Sequence, residues 1–296
     1  DNVFSYTLGA GGIATGSKAV ITTDINRLVQ QAVRDGADIS ERIREQTRKN
    51  HKYLLAFNAL LEEELQNDLL PVYKAGYISL EKQYLTLGVN GIVEAAEFLG
   101  IDISPNENYY NFCKSILQPI QEENKKARTE KVMFNTEMVP AENLGGKFAK
   151  WDKKAGYAVP RECYNSYFFK TEDEKLSILD KMEMHSDVVL QYLDGGSACH
   201  LNLDEHLTQT QYRKLLNYAA EIGCSYFTFN IPNTVCNKCG HISKHYQHQC
   251  EECGSEDLDY ITRIIGYAKR ISNYSEIRQR EAATRFYNHG LNKKDD

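Results

Sequence analysis

Four of the eight cysteines stand within 18 residues, as Cys236-Asn-Lys-Cys239-Gly and Cys250-Glu-Glu-Cys253-Gly, with ten residues between the inner two. No other feature limits the fold so sharply. Paired CxxC turns present two sulfurs from each of two short loops, and four thiolates at this spacing suit tetrahedral zinc. The glycine after each pair accepts φ > 0, so the chain turns back and amides face the sulfurs. A dithiol redox pair is the competing reading, and two matched pairs favour the closed four-sulfur site. His241, His245 and His248 lie inside the ribbon as alternative ligands, but with four cysteines at hand they read as bystanders. A secreted disulfide scaffold would not concentrate half its cysteines here, so a reducing compartment, the cytoplasm, is expected.

The remaining composition narrows the class. At 296 residues, 42% hydrophobic and 26% charged, the chain can bury a large core. Mean hydropathy is -0.53 and no apolar run approaches membrane-spanning length, so no membrane association is expected. The opening has no secretory signal pattern and no initiator methionine, and it reads as a piece of a longer protein. Net charge is -6, from 35 basic and 41 acidic side chains, which argues against nucleic-acid binding. The ribbon itself carries Glu251, Glu252, Glu256 and Asp257, which suits a staple better than a phosphate-backbone binder.

Periodicity supplies an α/β outline. A strand is expected at 18–22, then a helix with Ile25, Leu28, Val29, Ala32 and Val33 on one face, stopped at Asp35-Gly36. Asp38 and Glu41 form a capping-box pattern for a longer helix with a stripe through Ile43, Leu54, Phe57, Leu61 and Leu65. Residues 88–100 read as a helix, and 111–127 as another, kinked or broken at Pro119. An extended piece ends at Pro140, and Ala141 onward has the composition of a helix start, whose N–H groups suit an anion. A strand at 195–203, a helix at 207–223 and a strand at 224–231 follow. Helix between strands implies at least part of a parallel sheet.

Arg263-Ile-Ile-Gly266-Tyr267 follows the ribbon closely and resembles the R-V-x-G-Y loop of glycyl radical enzymes. Behind a four-cysteine ribbon, the pattern is similar to anaerobic (class III) ribonucleotide reductases. TLGVNGIVEAAEFLG, FNTEMVPAENLGGKFAKWD, GGSACHLNLDEHLT and YFTFNIPNTVCNKCG resemble the family in the same order, so the likeness covers nearly the whole chain as the C-terminal half of such an enzyme.

The resemblance implies an α/β fold, part of a ten-stranded α/β barrel, with a C-terminal zinc ribbon and a glycyl radical loop. Residues 1–234 would be barrel, 235–258 ribbon, and 259–296 radical loop and C-terminal helix. It implies anaerobic reduction of ribonucleotides, with triphosphates expected, to 2′-deoxyribonucleotides. Gly266 would store the radical, and Cys236, Cys239, Cys250 and Cys253 would hold structural zinc. The turn with Pro140, Ala141, Glu142 and Asn143 would receive the substrate's phosphates and ribose. In the family a cysteine thiyl removes the 3′ hydrogen and the 2′ hydroxyl leaves as water. Residues 4–17 resemble the end of the loop that carries that cysteine but contain none, so either it lies just upstream of Asp1 or this chain is not competent alone. Cys113, Cys163, Cys199 and Cys224 do not match that loop. Cys199 is the one best placed to face the interior, although a small buried apolar role is favoured for it. The family commonly has Asn where Asp24 stands.

Implied partners are a ribonucleotide, a radical S-adenosylmethionine activase with an iron–sulfur cluster, formate or a thioredoxin-type dithiol, and a second copy in a homodimer. Residues 269–290 carry Arg and Lys residues that would meet the activase or simply face solvent. Another glycyl radical enzyme, such as a formate acetyltransferase relative, is disfavoured by the ribbon. A zinc-ribbon module binding nucleic acid or protein is disfavoured by the acidic balance and the ordered run of similar segments.

Overall fold

The computed structural model describes residues 16–141, 143–263 and 267–289. Strand β1 (Ser17–Asp24) runs directly into α1 (Ile25–Asp35), because the Asp24 side chain accepts from Arg27 N–H and closes the first turn. Gly36 ends α1 at φ 63. Ile25, Leu28, Val29 and Ala32 are buried as expected, whereas Val33 is 48% exposed on the flank of that face.

Asp38 caps α2 (Ile39–Gln66) by accepting from Glu41 N–H at 2.8 Å. Only half of the expected capping box forms, since the Glu41 carboxylate pairs with Arg48 at 2.7 Å instead of reaching back. Ile43 and Leu54 are buried, but Phe57 is exposed and Leu61 and Leu65 are only partly covered.

After the short α3 (Pro71–Lys74) comes β2 (Tyr84–Asn90), then α4 (Ile92–Phe98). This corrects the single helix expected at 88–100. β2 is the central strand of a parallel β1-β2-β3 sheet and is covered on both faces, so Thr86, Gly88 and Asn90 are buried as well as the alternating Leu85, Leu87 and Val89. Gly88 is needed in that strand: a Cβ there would lie 2.5 Å from Val139 Cγ2 and 2.6 Å from Thr22 Oγ1.

Helix α5 (Glu107–Ala127) starts at the Asn106 cap and continues through Pro119 without a break. Proline cannot donate to Ser115 C=O one turn back, and the Ser40 hydroxyl of α2 donates to it instead at 3.0 Å. β3 (Met133–Met138) and α6 (Leu144–Lys154) follow, then a long connection containing α7 (Ile178–Glu183) and α8 (Asp187–Leu190).

Strand β4 (Cys199–Asn202) is shorter than expected, because Gly195 and Gly196 are spent on contact with β3. Gly195 N–H donates to Thr136 C=O and Met138 N–H to Gly196 C=O, at 2.8 and 3.0 Å. A parallel bridge joins Glu137 to Gly196 there. α9 (Gln209–Ile222) has a complete Thr208/Gln211 capping box and ends at Gly223, φ 74. β5 (Phe227–Asn230) pairs parallel with β4. The parallel β1-β2-β3 and β4-β5 sheets, linked at the Glu137–Gly196 bridge, pack with helices around one large apolar cluster.

An antiparallel sheet follows, ordered β7-β6-β8-β9 from β6 (Asn233–Cys236), β7 (Ile242–Ser243), β8 (Leu258–Arg263) and β9 (Ala268–Arg270). It crosses both expected boundaries, 234/235 and 258/259. Helix α10 (Glu276–Thr284) closes the described chain. No described helix is long and apolar enough to cross a membrane.

Candidate active site and metal centre

The metal centre is built by two matching turns. Gly240 N–H donates to Cys236 C=O at 3.0 Å and Gly254 N–H to Cys250 C=O at 2.9 Å, and both glycines hold positive φ, 77 and 69. These turns bring the sulfurs of Cys236, Cys239, Cys250 and Cys253 within 4.8 Å of one another. Cys236–Cys253 and Cys239–Cys250 are each 3.6 Å apart, far beyond a disulfide bond. Tetrahedral zinc with Zn–S of about 2.3 Å requires sulfurs roughly 3.8 Å apart, so the four cysteines fit a zinc ion. The backbone N–H of Cys239, joined by Lys238, pulls the Cys236 thiol down to about 6, whereas the His241 and Ser255 N–H groups are outweighed by burial and the neighbouring sulfurs, which push Cys239 and Cys253 up. His241 is engaged by Glu251 at 2.7 Å, and no histidine joins the cluster among the described residues.

Strand β6 ends at Cys236 and pairs with β8, so the metal centre anchors the strand that leads to residues 264–266. Arg263 pairs with Ala268 across the sheet. Gly266 and Glu142 lie outside the described residues.

The second centre gathers at the C-terminal ends of the parallel strands, where open α/β sheets bind ligands. Pro140 and Ala141 precede helix α6, which begins three residues later at Leu144 with Asn143 as its cap. Proline is therefore not in the first turn of the helix. Gly145 and Gly146 occupy that turn because a Cβ on either would meet Tyr164 C=O at 2.6 Å or Ile277 Cγ2 at 3.0 Å. The Ala141 N–H is already engaged, donating to Ser166 Oγ at 3.1 Å, and Asn90 Nδ2 donates to the same oxygen. Ala141 C=O accepts from Arg278 of α10.

From Arg278 the polar chain continues. Arg278 and Arg285 both pair with Glu281, at 3.2 and 2.8 Å, and Arg285 donates to Arg263 C=O at 2.7 Å. Arg263 N–H and the Thr262 hydroxyl donate to Asn230 Oδ1, and Asn230 Nδ2 donates to Asn202 Oδ1 at 2.8 Å. One hydrogen-bonded line thus runs from Asn90 to Asn202 through the 140s turn and the end of β8. Burial, followed by Arg263 and Arg285, pushes His200 down to about 3, so it faces Tyr167 OH as a neutral ring. Burial alone would raise Glu281, but Arg285 and Arg278 hold its carboxyl below the usual range.

Several of these residues had no motif to announce them. Ser166, Asn90, Asn202 and Asn230 are single polar residues, found only through their partners. Arg278 and Glu281 carried a signal in their i, i+3 spacing, which reads as one helix face, while Arg285 is the extended residue that ends the helix. Asp24 caps α1, and its second carboxylate oxygen is buried without a hydrogen-bond partner. Burial, then Asp152, raises it to about 7. Cys199 faces away from His200 and Asn202 into the apolar core, with its sulfur 3.7 Å from Lys181 C=O. It is the small buried residue favoured for it rather than an interior-facing thiol. A cleft of about 190 Å³ lined by Arg161, Cys163, Thr171, Ile277 and Arg280 lies beside α10 and is smaller than an ordinary ligand pocket.

Over residues 3–287 the sequence matches the family described as anaerobic ribonucleoside-triphosphate reductase. A solved anaerobic ribonucleotide reductase aligns with a TM-score of 0.86 at 28% identity, over 97% of this chain and 47% of its own. The Thermotoga maritima enzyme in complex with dATP and CTP aligns at 0.80 and 26%, over 93% and 46%. The same enzyme with glycerol in the active site aligns at 0.82 and 27%, over 94% and 46%. The chain spans about half the length of these solved structures. No curated protein matches the sequence. The chain belongs to the anaerobic ribonucleoside-triphosphate reductase family.

Proposed function

We propose that this chain is the radical-bearing portion of an enzyme that reduces ribonucleotides, in the triphosphate form, to 2′-deoxyribonucleotides without oxygen. The observation that carries the reading is the hydrogen-bonded line joining the Ala141 turn to Arg263, three residues before Gly266 and directly behind the four-cysteine centre. Membership of the family supports it, as does the nucleotide-bound state of the T. maritima relative.

On this reading β1 to β5 are half of a ten-stranded barrel whose other half lies elsewhere in the enzyme. Pro140, Ala141, Glu142 and Asn143 receive the substrate's phosphates and ribose. Because Ala141 N–H is occupied by Ser166, the anion is met by the first turn of α6, an 11-residue helix whose leading N–H groups have no intrahelical acceptor. Zinc on Cys236, Cys239, Cys250 and Cys253 supplies structure rather than chemistry. It fixes β6, and through it β8. Gly266 stores the radical and passes it to a cysteine upstream of Asp1, and the resulting thiyl takes the 3′ hydrogen. A radical S-adenosylmethionine activase with an iron–sulfur cluster installs the radical, and formate or a thioredoxin-type dithiol supplies the electrons. The setting is the cytoplasm and the assembly a homodimer.

The test uses the complete enzyme, activated without oxygen. A doublet in the electron paramagnetic resonance spectrum should collapse when Gly266 is deuterated at Cα, and air should cut the chain there. Gly266→Ala should keep its zinc yet give neither signal nor cleavage. Ala141→Asp should weaken nucleotide binding by like-charge repulsion. A full signal with deoxynucleotide formation in Gly266→Ala overturns the reading.

A further inference from the structure

The geometry points to Arg278, Glu281 and Arg285 as a positioning bridge that sets the Ala141 turn and the end of strand β8 at a fixed distance from one another. Each end is a backbone carbonyl. Arg278 Nη2 donates to Ala141 C=O, and Arg285 Nη1 donates to Arg263 C=O at 2.7 Å. Between them the Glu281 carboxylate takes both Arg285 Nε and Nη2 at 2.8 Å, a two-pronged pair, and Arg278 Nη1 at 3.2 Å. All three side chains are largely buried, 5%, 12% and 5% exposed in chain order.

The way α10 is held makes this a matter of position. Of its residues only Arg278 and Ala282 are buried, and its apolar cluster is Tyr274 with Ala282. Apolar contact is non-directional, whereas guanidinium–carboxylate and guanidinium–carbonyl bonds fix both distance and angle. Contacts at both ends reinforce the bridge. Tyr274 OH donates to Thr262 C=O at 2.8 Å, one residue from the Arg285 contact. Ile277 lies against Gly146, where even a Cβ would come within 3.0 Å. A shift of the 140s turn is therefore passed to β8 through three charged groups that cannot relax independently. The functional meaning rests on the proposed roles of residues 140–143 and Gly266: substrate at one end would set the geometry of the radical strand at the other.

Hydrogen exchange in the complete enzyme tests the bridge itself. Glu281→Gln removes the shared charge, so amides of 133–141 and 258–263 should exchange about tenfold faster together, while α2, α5 and the zinc content stay as in the parent protein. Acceleration at only one segment, or at neither, overturns the bridge. In the complete activated enzyme, cutting either end should break the same link. Arg278→Lys and Arg285→Lys should each raise KM for CTP about tenfold, alter the radical doublet and lower kcat about tenfold. Glu281→Asp should do less than Glu281→Gln on all three readouts. Lysine variants that each disturb only their own end overturn the proposal. If the parent enzyme fails to bind CTP, the substrate assignment falls, and the exchange result still decides the bridge.

Discussion

The parallel-sheet body and the ribbon behind it are held together by different physics. In the body, residues from almost every strand and helix join one apolar cluster, with Ile25, Val29, Leu85, Val89 and Ile116 essentially sealed from solvent. In the ribbon Val235, Cys236 and Cys250 are buried, while Ile242 and Tyr246 remain exposed. So little apolar area cannot offset the entropy of ordering some thirty residues. On this accounting the ribbon would depend on a metal held by its four cysteines and the body would not. The difference teaches that β8, paired to β6, draws its order from the less self-sufficient of the two regions.

Chelation should give the largest effect and tests the comparison most directly. Structural zinc contributes on the order of 10 kcal/mol, so its removal should abolish the β6–β8 pairing while the helices of the body persist. Loss of both regions in one transition, followed by circular dichroism and exchange, would break the comparison. Cys250→Ser should bind less than one zinc per chain, and full occupancy there would end the four-sulfur assignment.

Acid should next weaken the body by its own route. Burial pushes His185 down to about 4, and burial with Arg263 and Arg285 pushes His200 to about 3. Both stay neutral when folded, but in the unfolded chain they protonate near 6.5. The stability they confer is thus complete above that pH and is lost as pH falls from 6.5 towards 4, on the order of 5 kcal/mol together. Urea unfolding of zinc-depleted protein across this range isolates the body's share. A flat profile would show that these rings are not buried neutral.

Smaller substitutions sharpen the contrast. Gly88→Ala drives a methyl into Val139 and Thr22 and should cost about 2–3 kcal/mol with zinc content unchanged. Ser40→Ala strands the Ser115 carbonyl that Pro119 freed and should cost about 1 kcal/mol. Both are read from denaturant midpoints at constant slope, and loss of zinc in either would tie the regions more closely than their cores imply.

Legibility followed the range of the interactions. The cysteine turns, the Gly36 and Gly223 stops and the Asp38 cap are decided within a few residues, and each stands where the local pattern put it. Residues 88–90 misled because a central parallel strand and a buried helix start look alike in one dimension. Only the neighbours on both faces make them a strand. Phe57 misled in the opposite direction, since a helical stripe says which residues share a face but not whether anything covers it.

By itself, the sequence determined the four-sulfur site, the α/β class and the family, because all three rest on local spacing or on ordered segments that survive without coordinates. Tertiary structure alone decided that Ala141 N–H is spent on Ser166, that Cys199 turns to the core, and that α10 bridges Ala141 to Arg263. Those contacts join residues far apart in the chain. Their partners are backbone carbonyls and lone polar side chains, which carry no pattern of their own until the fold brings them within hydrogen-bond reach.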